Sequence, residues 1–220
     1  MLKRVYLTID DAPSAHLEKI VDFLSFYQIP AVFYVRGGFV EQYCSKVAYA
    51  ISKGYLIGNH TYSHSCFSEL SFEQCQHEIL KTELLIDACY AMAGVIRPKK
   101  VVRLPFGDRG AGANARTAQN DTEQQHVMQI QKFLAAEGFE KLSFHHASEY
   151  IDAYWDWDTQ DYKTRHIEDL TGYIKNMASF MENYHHESAV ILLHTFDHNA
   201  HLFQPTLSFL MAQSIAFLPI

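Results

Sequence analysis

Short apolar runs alternate with longer stretches of helical periodicity along this chain. Residues 5–9 form an apolar run that reads as a buried strand. Ser14 offers a helix N-cap, after which Leu17, Ile20, Val21 and Leu24 recur at helical spacing until Pro30 forbids continuation. Residues 31–35 predict a second strand, 40–52 a second helix and 55–58 a short third strand. Ser71 and Gln74 make a capping-box signal that opens a helix ending at Gly94. Further strands are expected over 100–104, 141–144, 153–157 and 189–193. Helices are expected from 121 or 122 to about 138, from 166 to about 183, and from about 205 onward. Strands that are each followed by a helix or a long loop predict one α/β domain over residues 1–220. A full eightfold barrel takes ~250 residues. The expectation is therefore a distorted or incomplete (β/α) barrel with about seven parallel strands, with an open doubly wound sheet as the alternative.

Composition narrows the partners. A formal net charge of −7 argues against a dedicated nucleic-acid binder, and the basic run Arg97-Pro98-Lys99-Lys100 reads as a solvated loop before a strand. No stretch approaches the ~20 apolar residues that cross a bilayer, so no membrane partner is expected. The apolar run behind Met1-Leu2-Lys3-Arg4 is too short for a signal peptide, which predicts a cytoplasmic protein. Cysteines at 44, 66, 75 and 89 lack metal-binding spacing and read as free thiols.

Chemistry in such folds gathers where strands end. The first strand ends in Asp10-Asp11, the third in a segment carrying His60 and His64, the fourth in Arg103 and Phe106, the sixth before Asp156, Asp158 and Asp161, and the last in His194. Adjacent carboxylates after an apolar strand call for a compensating positive charge, unless one of them merely caps a helix. His60 and His64, four residues apart, share a face if the backbone turns helically, and two imidazoles with a carboxylate suit zinc and leave a position open for water. Surface histidines are the plain alternative. His194, His198 and His201 lack the glutamate of a zinc-protease motif, and the last two read as loop residues. Arg103 at a strand end needs a carboxylate. Pro105 and Gly107 predict a tight loop with outward N–H groups, or an ordinary turn.

In order along the chain, Leu7-Thr8-Ile9-Asp10-Asp11-Ala12-Pro13, His60-Thr61-Tyr62-Ser63-His64, Arg103-Leu104-Pro105-Phe106-Gly107, Asp158-Thr159-Gln160-Asp161-Tyr162 and Leu192-Leu193-His194 resemble the five motifs of the polysaccharide deacetylases, the NodB-homology superfamily or carbohydrate esterase family four. The resemblance implies a distorted barrel and one divalent metal ion held by Asp11, His60 and His64, zinc first, with cobalt, nickel or manganese also compatible. It implies Asp10 as general base, Arg103 as its orienting partner, His194 as general acid and Asp161 as the group that holds it. The Phe106 N–H would serve the oxyanion, and Tyr162, where tryptophan is usual, would shape the acyl pocket. Ala12 stands where glycine is usual, so its backbone must avoid φ > 0. Segments 108–121 and 145–152 flank the third and fourth motifs and are expected to tune substrate choice. The activity implied is N-deacetylation of an amino sugar or oligosaccharide. Two alternatives are a same-superfamily amidohydrolase on another small amide or a cyclic imide, and a non-catalytic carbohydrate-binding relative. In the last case Tyr154, Trp155, Trp157 and Tyr162 would offer stacking faces.

Overall fold

The computed structural model describes residues 2–115, 117–142 and 149–220. Among the described residues six parallel strands form the sheet, five of them in the order β3-β2-β1-β5-β4: β1 (Arg4–Ala12), β2 (Ala31–Val35), β3 (Leu56–Asn59), β4 (Trp157–Asp158) and β5 (Ser188–His194). A short β6 (Ala216–Phe217) pairs with the start of β1, below the point where β2 joins it. Six helices connect them: α1 (Leu17–Phe26), α2 (Gly37–Ser52), α3 (Phe72–Ala93), α4 (Asp121–Ala136), α5 (Leu170–Asn183) and α6 (Ala200–Ala212).

Period-two alternation sorts the strand residues between two apolar layers. Leu7, Ile9, Phe33, Val35, Ile191 and Leu193 pack against Leu17, Val21 and Leu24 of α1 and Leu207 and Leu210 of α6. Val32, Tyr34 and Leu56 face the other way, with Val101, Leu142 and Ala153. Both faces are covered, which is why these strands read as continuous apolar runs.

The circuit closes through an irregular seam. Asn59 N–H donates to Val101 O (2.8 Å), Arg103 N–H to Asn59 O (2.9 Å), and Ala153 N–H to Val102 O (2.8 Å), so residues 101–103 lie between β3 and the approach to β4. The regular strand expected over 100–104 is thus replaced by isolated bridges at Val102 and Lys100. Its neighbours are too short for a ladder: β3 stops at Asn59, and the other side is touched at Ala153. The strand expected over 153–157 pairs regularly at Trp157 and Asp158. The strand expected over 141–144 and the loop over 145–152 fall partly outside the described residues.

Local signals fare unevenly. The α3 capping box forms as expected, with Ser71 Oγ accepting from Gln74 N–H, Gln74 Oε1 accepting from Ser71 N–H, and Gly94 ending the helix at φ 67°. Ser14 instead caps nothing helical. Its Oγ accepts from His16 N–H, and α1 starts at Leu17. The run at 97–100 is less solvated than expected, because Arg97 reaches back to Glu83 (2.7 Å) and Asp87 (3.0 Å). The four cysteines are free. Among the described residues no helix is long and apolar enough to cross a membrane.

Candidate active site

Asp10 and Asp11 lie just before the end of β1, and the backbone separates them. Asp10 stays in strand register opposite His194 of β5, whereas Asp11 turns left-handed at φ 59°. Ala12, where a left-handed glycine was the concern, avoids positive φ; the strain sits one residue earlier. Asp10 Oδ1 accepts from Arg103 Nη1 at 2.9 Å, and its Oδ2 lies 3.6 Å from His60 Nε2. Asp11 Oδ1 is buried without a hydrogen bond, although His64 Nε2 and Arg36 Nη1 each stand 3.5 Å away. Burial raises the Asp11 pKa, against the opposing pull of His60 and His194.

His60 and His64 do converge, but not on a helical turn. They bracket a loop after β3 in which Thr61 (φ 62°) and His64 (φ 66°) are left-handed, and their rings sit 4.9 Å apart. His60 Nδ1 lies 2.7 Å from the Arg103 carbonyl. A carbonyl can only accept, so Nδ1 carries a proton there, and Nε2 is the nitrogen left to face a metal. Burial, followed by the neighbouring His60, pushes the His64 pKa down to about 2, so that imidazole is neutral and able to donate a lone pair.

Ligand atoms of Asp11, His60 and His64 lie within 4.8 Å of one another. An orphaned buried carboxylate oxygen facing two imidazoles is a donor set that fits a divalent cation. The residues therefore suit the ion that the motifs imply.

Arg103 is fully buried. Beyond Asp10, its guanidinium donates to Thr8 Oγ1 (2.8 Å), Ala153 O (3.3 Å) and Tyr154 O (3.2 Å), and it lies 4.5 Å over the Tyr34 ring. Thr8 in turn donates to Ile191 O (2.7 Å). A cation so paired and hydrogen-bonded is tolerable at depth, whereas an unpaired one is not.

Across the cavity, His194 Nδ1 meets Asp161 Oδ1 at 2.8 Å, and His194 N–H donates to Asp161 Oδ2 at 2.9 Å. Burial alone would lower the His194 pKa. The hydrogen bond and charge of Asp161, with Asp10 and Asp11 beyond it, hold it at about 9. Asn199, which no motif flagged, donates to Asp161 Oδ2 (3.0 Å) and accepts from Phe196 N–H (3.0 Å).

Phe106 sits left-handed at φ 57° in a turn closed by Gly107 and Asp108 N–H groups. Its ring lies 4.6 Å from that of His64, and Tyr162 meets His194 edge-on at 4.9 Å. A cavity of about 220 Å³ is lined by Asp10, Asp11, His60, His64, Phe106 and His194, together with Tyr162 and Trp155. Asp158, which opens the fourth motif segment, and Phe196, which lies in none of the five, also line it. Trp157 is elsewhere, stacked on Phe180 at 4.2 Å as core. His198 lies 3.3 Å from Tyr162 O, and His201 falls in the first turn of α6.

A family model described as polysaccharide deacetylase matches residues 2–127. Among characterised relatives, a chitooligosaccharide deacetylase of Rhizobium leguminosarum bv. trifolii is 34% identical over 93 residues, covering 41% of this chain and 43% of that protein. The peptidoglycan-N-acetylmuramic acid deacetylase PdaC of Bacillus subtilis is 27% identical over 177 residues, covering 80% of this chain and 30% of that protein. The match thus spans less than half the length of either relative. The solved catalytic domain of a peptidoglycan N-acetylglucosamine deacetylase from Eubacterium rectale superposes with a TM-score of 0.70 at 19% identity, covering 99% of this chain and 88% of that one, a likeness of fold.

Proposed function

Because this chain belongs to the polysaccharide deacetylase family, we propose that it hydrolyses N-acetyl groups from an amino sugar or oligosaccharide with the help of one divalent ion. One observation carries the reading. A single cavity is lined by three convergent ligand groups, a separate carboxylate gripped by a buried arginine, and a histidine held by its own carboxylate. The printed activities of the relatives, on chitooligosaccharide and on peptidoglycan, support the same substrate class.

In this reading Asp11, His60 and His64 hold the ion. When bound, it supplies Lewis-acid polarisation of the amide carbonyl and makes water more acidic. Asp10 is the base: Arg103 occupies Oδ1, leaving Oδ2 to take the proton as water's oxygen bonds to the acyl carbon. Phe106 N–H donates to the oxygen on which negative charge develops. An amine leaves poorly as an anion, so His194 gives the nitrogen a proton as the C–N bond breaks, releasing acetate and a free amine. With Nδ1 tied to Asp161, the proton delivered is the one on Nε2. The rings of Phe106, Trp155, Tyr162 and Phe196 give the cavity part of its apolar wall.

The test is product analysis. The purified chain should release acetate from N-acetylated chitooligosaccharides, lose that activity on chelation, and regain it with zinc. Ring opening of a cyclic imide without acetate release from the sugars would replace this reading with the amidohydrolase one.

A further inference from the structure

The loop that carries His64 is held from both sides by residues outside the cavity. From α2 and the residue before it, Gly37 N–H donates to Thr61 O (2.9 Å), Gly38 N–H to Tyr62 O (3.1 Å) and Arg36 Nη2 to Ser63 O (3.3 Å). From the opposite side, Asn59 Oδ1 accepts from Thr61 N–H at 2.8 Å. One oxygen of Glu78, on α3, accepts from both Tyr62 N–H (3.0 Å) and Ser63 N–H (2.7 Å). Successive N–H groups converging on one point form a nest that favours an anion, and here a side-chain carboxylate fills it. The surroundings leave little slack. A Cβ on Gly37 would meet Thr82 Oγ1 at 2.6 Å and Tyr62 Cδ2 at 2.7 Å, so α2, the loop and α3 are wedged together.

We propose that Glu78 is a positioning residue for the metal site, fixing the two peptide groups that precede His64 and thereby aiming that imidazole. The proposal rests on the reading of Asp11, His60 and His64 as ligands. Glu78 is absent from the cavity lining and acts through the loop alone. Without its carboxylate, the part-buried Tyr62 N–H and the exposed Ser63 N–H lose the acceptor they share. A loop with left-handed residues at Thr61 and His64 then has reason to relax toward ordinary backbone.

Zinc affinity of the full chain, measured by competition with a chromophoric chelator, tests this, alongside the visible absorption of the cobalt-loaded protein. Glu78→Ala should bind zinc roughly 10–100-fold more weakly, the usual effect of removing a group that supports a ligand, and should weaken the cobalt bands. Glu78→Gln, which keeps an acceptor oxygen in place, should recover most of that loss. If the alanine variant does not fold, Glu78→Asp, one methylene too short, takes its place with the same expectation. Parent-like zinc affinity in the folded alanine or aspartate variant overturns the proposal. His64→Ala separates the two readings: weak binding there beside parent-like Glu78→Ala sinks the role of Glu78 alone, whereas parent-like binding in His64→Ala sinks the ligand assignment itself.

Discussion

Two neighbouring aspartates with different partners define the site at the residue scale. Asp10 faces Arg103, and Asp11 faces the imidazole pair. Replacing Asp10 with alanine should therefore lower kcat/KM by about 10²–10⁴-fold, the usual worth of a positioned base. Metal content should stay at the parent level, since the three ligands remain. Asp161 carries a pH signature instead. The His194 pKa, near 9, lies above the ordinary histidine value, so the pair's contribution to stability is full below the ordinary value and fades as pH rises through about 9. Asp161→Asn removes the charge that holds it there. The alkaline limb of the rate profile should move to lower pH, which a kcat/KM series from pH 6 to 10 would reveal, and an unmoved limb would count against His194 as the acid.

At the scale of elements, β1, β2, β3 and β5 were legible because both their faces are buried and apolar residues run through them. The closing stretch at 101–103 was not, since local sequence cannot say how much neighbour a segment will find, and here it finds single residues on either side. The same limit applies to the site. The His60/His64 spacing was visible, but the left-handed loop that unites them was not. The five motif segments contain both aspartates, both loop histidines, Arg103, Phe106, Asp161 and His194, yet Asn199 and Glu78 act through contacts that no spacing announces. Gly58 shows how an element transmits to the site. A Cβ there would meet Tyr34 Cδ1 at 2.6 Å and Val101 Cγ2 at 2.9 Å, and Tyr34 lies directly under the Arg103 guanidinium. Gly58→Ala should cost ~1–3 kcal/mol by overpacking, visible as a lower Tm, and should reduce kcat more than it changes KM.

For the molecule as a whole, a bound ion would tie β1 to the loop after β3, and ligand linkage gives the size of the effect. At free zinc near 1,000 times Kd the folded state gains ~4 kcal/mol, so chelation should lower Tm by about 10 °C in a chain of this size. Asp10→Ala should show the same drop, and His64→Ala much less. Arg103 adds a consequence of another kind. Its side chain grips Asp10 while its main-chain carbonyl accepts a hydrogen bond from His60 Nδ1. A substitution at that position silences the first service and spares the second. On the proposed reading, a chain altered there would keep its hold on the cation while hydrolysis was lost, so metal content alone would not report an active protein.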